Sequence, residues 1–311
     1  MKLVPSRLRK SFASAPRATL LALSTLLAAA ATTSARADED PRSKIHSLLQ
    51  VEFSDHYITP RGLHIENEGI VIQPLLLVFW DLYSSDNALI NDVTLTTGVW
   101  NSIHSNANKG EADPGHWNEI DPFAGLTFKM GKAWTLDVFY TGFKSQTDSY
   151  STSTNLDLKV TYADKLSDKF SLNPYVEYFQ ELTNKATVAF GKEDDTGFYF
   201  QLGATPTIAL PKGMKLQFPT YVSLVSSNFY HKITGADGGS GVGLFSTQAK
   251  LSFPIKMPAG YGFWNGYVGV QYYHLVNDGL LDGNKVLGAE GFTTSPSENL
   301  FQFHAGFSVF F

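Results

Sequence analysis

The chain has 311 residues, with 24 Lys or Arg against 29 Asp or Glu, a formal charge of −5 and no cysteine. The acidic balance argues against a nucleic-acid partner, and a cysteine-free chain is held by its own hydrogen bonding and packing rather than by disulfides. No apolar run reaches the ~20 residues of a spanning helix, so a membrane-spanning form of this chain has to be a barrel.

Residues 1–37 read as a cleaved signal peptide. Lys2, Arg7, Arg9, Lys10 and Arg17 form a basic start, Leu20 to Ala31 an apolar stretch, and Ala35-Arg36-Ala37 a cleavage site. Six Lys or Arg and no acid leave with it, so the remainder stands at −11. Residues 38–46 are expected as a polar periplasmic leader and 47–311 as the folded domain.

From there the chain alternates. Strand one is expected from Ser47 to Tyr57, with Leu49, Val51, Phe53 and Tyr57 on one face and Gln50, Glu52, Ser54 and His56 on the other. A loop with Pro60-Arg61-Gly62 follows. Strand two, Gly69 to Leu82, is apolar on both faces; Gln73 and Asp81 favour Ile70, Ile72, Leu76, Val78 and Trp80 as its outward set. Strand three is Leu89 to Ser102, then comes a polar loop, Ser105 to His116. Strand four, Trp117 to Met130, sets Glu119, Asp121 and Lys129 against Ile120, Ala124 and Phe128. The tight turn Gly131-Lys132 leads to strand five, Ala133 to Phe143, with Asp137 on its polar face. Strand six alternates Leu156, Leu158, Val160 and Tyr162 with Asn155, Asp157, Lys159 and Thr161. Strand seven is Phe170 to Leu182, containing Glu177. Strands eight to eleven are Gly197 to Leu210, Met214 to Ser226, Val242 to Ile255 (with Lys250) and Gly262 to Leu275. The longest loop, Val276 to Glu298, precedes the last strand, FQFHAGFSVFF.

That is about twelve strands, with ten to fourteen as the range, each long enough to cross a tilted barrel wall. Connections after even strands are short. Those after odd strands are mostly longer and more polar. This parity, with Tyr57, Trp80, Trp134, Tyr162 and Trp264 near strand ends, is the pattern of an all-β, transmembrane, antiparallel up-and-down β-barrel. Its polar inner set supplies lumen and selectivity candidates: Glu52, Arg61, Glu119, Asp121, Lys129, Asp137, Asp157, Lys159, Glu177 and Lys250. Rings of charge set ion preference in pores, and the acidic excess predicts a mild preference for cations. Arg61 is expected either to reach an inner acid such as Glu66 or Glu68, or to stay in water.

The final strand resembles the C-terminal strand of bacterial outer-membrane β-barrel proteins, which is read by the barrel assembly machinery; Phe303, Phe307, Val309 and Phe311 carry that likeness. Ser54-Asp55-His56-Tyr57-Ile58-Thr59-Pro60-Arg61-Gly62 is similar to the S-D-Y-x-x-R-G start of a family of outer-membrane porins, with one residue inserted and Pro60 before the Arg. The resemblance implies a porin-like channel for small hydrophilic solutes, located in the outer membrane in contact with its lipid, with no cofactor. Two other readings are weighed. A closed barrel would act through its long loops on surface partners. A hydrolase in the barrel wall, as in outer-membrane phospholipase, needs a His two residues before a Ser, and no such pair occurs; His104-Ser105 is the nearest, on opposite faces. The Asp-Gly repeats at Asp278-Gly279 and Asp282-Gly283 read as turns rather than a calcium loop. Gly235 to Gly241 lacks the ending of a phosphate loop, and the eight His show no metal spacing.

Overall fold

In the computed structural model, residues 44–106, 115–289 and 297–311 are described. The expected signal peptide and most of the leader lie outside them. The described chain forms a closed antiparallel barrel of twelve staves. They are β1 (Ile45–Ser54), β2 (Val71–Ser84), β3 (Ile90–His104), β4 (Trp117–Met130), β5 (Trp134–Ser145) and β6 (Ser153–Tyr162). Next come β7 (Tyr175–Thr183, preceded by Phe170–Ser171), β8 (Phe198–Ala204 and Thr207–Ala209) and β9 (Lys215–Gln217 and Thr220–Val225). The ring ends with β10 (Gly241–Ile255), β11 (Phe263–Leu275) and β12 (Asn299–Phe310). Each stave pairs with the next. β12 closes on β1 through Leu49 opposite Val309 and Ser54 opposite His304. Among the described residues no helix is long and apolar enough to cross a membrane.

Three adjacent staves, β7 to β9, are interrupted at Pro174, Pro206 and Pro219. Proline has no N–H to give the ladder. The chain compensates with single bonds around each gap: Tyr162 N to Pro174 O at 2.9 Å, Phe218 N to Pro206 O at 2.8 Å and Gln248 N to Pro219 O at 2.8 Å.

The two faces of the wall separate by period two. Leu49, Phe53, Leu76, Tyr140, Val176, Phe200, Leu202, Val268, Phe301 and Phe303 point outward and are exposed around the circumference. A continuous apolar belt of this extent is far beyond the few hundred Å² that soluble proteins leave bare, and it belongs in lipid. On β2 the inward set is Val71, Gln73, Leu75, Leu77 and Phe79, all buried. Ile72, Leu76, Val78 and Trp80 face outward, as the alternation required. Glycines on the inner wall make room for large rings: a Cβ on Gly98 would strike Phe123, and one on Gly306 would strike Tyr267.

The elements differ from expectation at several points: β1 begins at Ile45, inside the expected leader, and two larger differences bear on the site. Strand one ends at Ser54, so Tyr57 is not on its outer face or in an interfacial girdle. Tyr57 instead begins a small hairpin, Tyr57–Ile58 paired with His64–Glu66, in which it is 5 % exposed. Its hydroxyl finds a buried carboxylate there, which no outward position offers. The expected loop 276–298 contains a helix, α1 (Asp278–Ala289). Asn277 caps it by accepting from Gly279 N at 2.8 Å and Leu280 N at 3.3 Å, and Asp278 sits favourably in its first turn.

Candidate functional site: the barrel lumen

The hairpin and α1 both fold inside the long-loop end of the barrel. Ile58 and Leu63 from the hairpin meet Leu280 and Leu287 from the helix. Around them pack Phe143, Phe179, Tyr199, Tyr221, Leu244, Tyr273 and Leu300 from the wall, with Phe229 and Tyr230 from the β9–β10 connection. A second cluster, Leu48, Leu75, Leu77, Phe79, Trp100, Phe123 and Phe139, lines the inner wall of β1 to β5. Polar ties fix the inserted segments. Asn284 accepts from His64 N at 2.8 Å and donates to Gly62 O at 3.0 Å. Tyr230 donates to Arg61 O at 2.7 Å and Tyr221 to Pro60 O at 3.1 Å. Burial pushes the Tyr230 hydroxyl far above the ordinary phenol range, so it stays a donor.

The charged residues of the inner wall fall into three groups. In the first, Lys159 is 3.1 Å from Glu177, Thr127 donates to Asp137 at 2.6 Å, and Asp157 stands opposite Phe139 and Phe179. In the second, Glu52 accepts from Tyr267 at 3.0 Å, His304 Nδ1 lies 3.1 Å from the same carboxylate oxygen, and Lys250 stands 4.1 Å over the Tyr267 ring. In the third, Glu119 accepts from Tyr57 at 2.6 Å and from Tyr150 at 2.7 Å, beside buried Asp121. Burial, then the nearby Glu119 and Asp121, hold both phenols well above their usual range and therefore protonated. Lys129 sits apart, half-buried near the short-turn end, 3.7 Å from Asp92.

Arg61 is buried, not in water. Its Nε donates to Ala186 O at 3.0 Å and its guanidinium lies 4.4 Å over Phe143. The contacts that hold it are thus a backbone carbonyl and an aromatic ring. Glu66 instead caps the backbone of Asn67 and Glu68, each at 2.8 Å. Among the described residues, buried carboxylates outnumber buried Lys and Arg by eight to four: Glu52, Glu66, Glu119, Asp121, Asp137, Asp157, Glu177 and Glu181 against Arg61, Lys159, Lys185 and Lys250.

Sequence reasoning missed two arrangements. Ser102 Oγ lies 3.0 Å from His104 Nε2, with Glu66 3.6 Å from Nδ1. The Ser precedes the His, the reverse of the spacing sought, and alternation alone places both on one inward face. All three are sealed at 2 % exposure or less, out of reach of lipid. The other is a cluster of Asp195, His231 and Asp237 on the connections at the long-loop end.

Closure of the staves, a lipid-facing apolar exterior and an ionisable interior together define an outer-membrane-type β-barrel protein. No protein-family profile matches the chain, and no curated protein matches its sequence. Solved structures similar to it include an outer-membrane channel from Pseudomonas putida F1, at TM-score 0.48 and 12 % identity over 88 % of this chain and all of that one. A NanC porin is similar at TM-score 0.45 and 9 % identity, over 84 % of this chain and 98 % of that one. Outer membrane phospholipase A from Escherichia coli is similar at 0.43 and 9 %, over 84 % and 92 %. At such scores the barrel's own geometry carries the assignment.

Proposed function

We propose that the protein is a gated, porin-like channel for small hydrophilic solutes or ions, and that the hairpin 57–66 and α1 are its movable closure. The observation behind this is the origin of the plug. The segments filling the long-loop half are inserts between staves, packed on an apolar cluster and pinned by a few polar ties, while the wall behind them carries charge. Seven of the eight buried carboxylates, all but Glu66, stand on the wall staves, and each is costly to desolvate. Their excess over buried cations favours a cation-preferring lumen once open, with Glu119, Asp121, Asp137, Asp157 and Glu177 as the residues setting the preference. The protein is not a lipid hydrolase on this reading, because the pair Ser102–His104 faces away from lipid. Phe303, Phe307, Val309 and Phe311 serve as the recognition strand for the assembly machinery.

The test is conductance of the refolded full-length mature chain in a planar bilayer under a salt gradient, beside a variant in which residues 278–289 are replaced by a flexible linker. The variant is expected to show long-lived steps with a cation-biased reversal potential, and Asp157→Asn to reduce that bias. Folded, inserted linker variant without steps would refute the channel and leave a closed barrel acting through its loops.

A further inference from the structure

We propose that Asp195, His231 and Asp237 form a binding site for a first-row divalent cation of the Zn²⁺ type, which clamps the β7–β8 and β9–β10 connections together. The inference stands independently of the channel reading. Each residue offers one ligand atom, and these atoms lie within 4.8 Å of one another. His231 Nε2 is 3.1 Å from Asp195 Oδ2 and 3.7 Å from Asp237 Oδ1. A tetrahedral ion with N and O ligands at 2.0–2.2 Å separates its ligand atoms by roughly 3.3 Å. The two separations from His231 bracket that edge, and the third lies within 4.8 Å, so the more exposed Asp237 is the group that would turn to close on an ion.

The backbone arranges these groups in advance. Residues 231 and 237 face each other across an antiparallel bridge. Lys232 N to Ala236 O at 2.8 Å and Gly238 N to Tyr230 O at 2.7 Å brace that turn. Asp195 is fixed from behind. Asn228 Nδ2 donates to its Oδ1 at 2.8 Å, leaving Oδ2 for the cluster, and Lys185 Nζ donates to its carbonyl at 2.8 Å. Asn228 is thus the kind of outer partner that orients a ligating carboxylate. The His231 side chain is fully buried, and Nδ1 has no hydrogen-bond partner among the described residues, so the ring's polar contacts there run through Nε2 to the two carboxylates. The carboxylates themselves are 39 % and 53 % exposed, which gives an ion a path from water and leaves room for water ligands.

The donor set names the class of ion. One imidazole nitrogen with two carboxylate oxygens suits Zn²⁺ and its neighbours. Ca²⁺ and Mg²⁺ prefer oxygen throughout, and Ca²⁺ takes 6–8 such ligands.

The test is calorimetric titration of ZnCl₂ into untagged, chelator-treated protein in detergent, with CaCl₂ and MgCl₂ as competitors. We expect one Zn²⁺ per chain, a rise in melting temperature on binding, and at least tenfold weaker binding in both Asp195→Asn and Asp237→Asn. His231→Gln should abolish binding. Because the buried His231 also serves packing, the exposed Asp237→Asn variant carries the decision. The site is overturned by an absence of saturable Zn²⁺ binding, by binding that Asp195→Asn and Asp237→Asn leave unchanged, or by equal competition from Ca²⁺.

Discussion

Asn284→Leu removes the hinge pin between the helix and the hairpin while nearly conserving volume. Asn284 is 1 % exposed, and it serves His64 N and Gly62 O at once. Its third bond, to Leu280 O at 3.3 Å, falls on a carbonyl already placed to serve the helix. Leucine would strand one buried donor and one buried acceptor, each costing about 1–3 kcal/mol. Taken together this weakens the closed arrangement by about 4 kcal/mol, or several hundredfold in the ratio of closed to open states at about 1.4 kcal/mol per factor of ten. In bilayer recordings the open fraction should rise accordingly, and backbone amides of residues 57–66 should exchange faster with deuterium while those of β1 and β2 stay protected. Heat-modifiable gel migration would confirm an intact barrel. An open fraction within threefold of wild type, with unchanged exchange at 57–66, would show that this contact does not hold the lumen shut.

Gly62→Ala should act on the same segment by another route. Gly62 has φ +83°, and a Cβ there would approach Leu244 at 2.8 Å, Leu275 at 2.9 Å and Leu280 at 3.0 Å; a loss of about 1–3 kcal/mol is expected, read as a lower thermal midpoint and faster exchange at 57–66. His64 gives the closure a pH dependence. Burial, and then the neighbouring His56 against the opposing pull of Asp55, lower its pKa from 6.5 to about 4. A depressed histidine must lose its proton to be buried, so closure is fully supported above pH 6.5 and weakens as pH falls toward 4. The limit is about 3 kcal/mol at ~1.36 kcal/mol per pH unit. The open fraction should therefore climb over that interval in wild type and climb less in His64→Gln. Lys159→Met should cost about 3–5 kcal/mol in denaturant unfolding, because it leaves Glu177 buried without its cation. The double variant with Glu177→Gln should recover part of that loss.

The wall was legible in the sequence because a barrel stave in lipid must alternate: one face meets hydrocarbon, the other does not. Strand six shows it most plainly, with Leu158 and Val160 outward and Asp157 and Lys159 inward. The inserts were illegible for the opposite reason. Asp278-Gly279 and Asp282-Gly283 carry strong turn signals, and only burial of Leu280 and Leu287 inside the barrel makes a helix of them. Tyr57 continues the alternation of strand one by type, so nothing local reveals that the chain turns inward after Ser54. Asn277 before an acidic residue, and leucines seven apart at Leu280 and Leu287, were the available helix signals. The inward positions of Glu119 and Asp121 follow from alternation. What alternation cannot report is the filling of the lumen, since the filling comes from other parts of the chain.

The placement of those inserts in the chain has a consequence for the closure of the ring. The hairpin lies just after β1 and α1 just before β12, and these are the two staves that meet to close the ring. The Asn284–His64 tie therefore spans 220 residues of sequence yet bridges the same seam as the β1–β12 ladder. One polar contact thus fastens the interior across the same join that closes the wall, so the seam is held from inside as well as by its ladder.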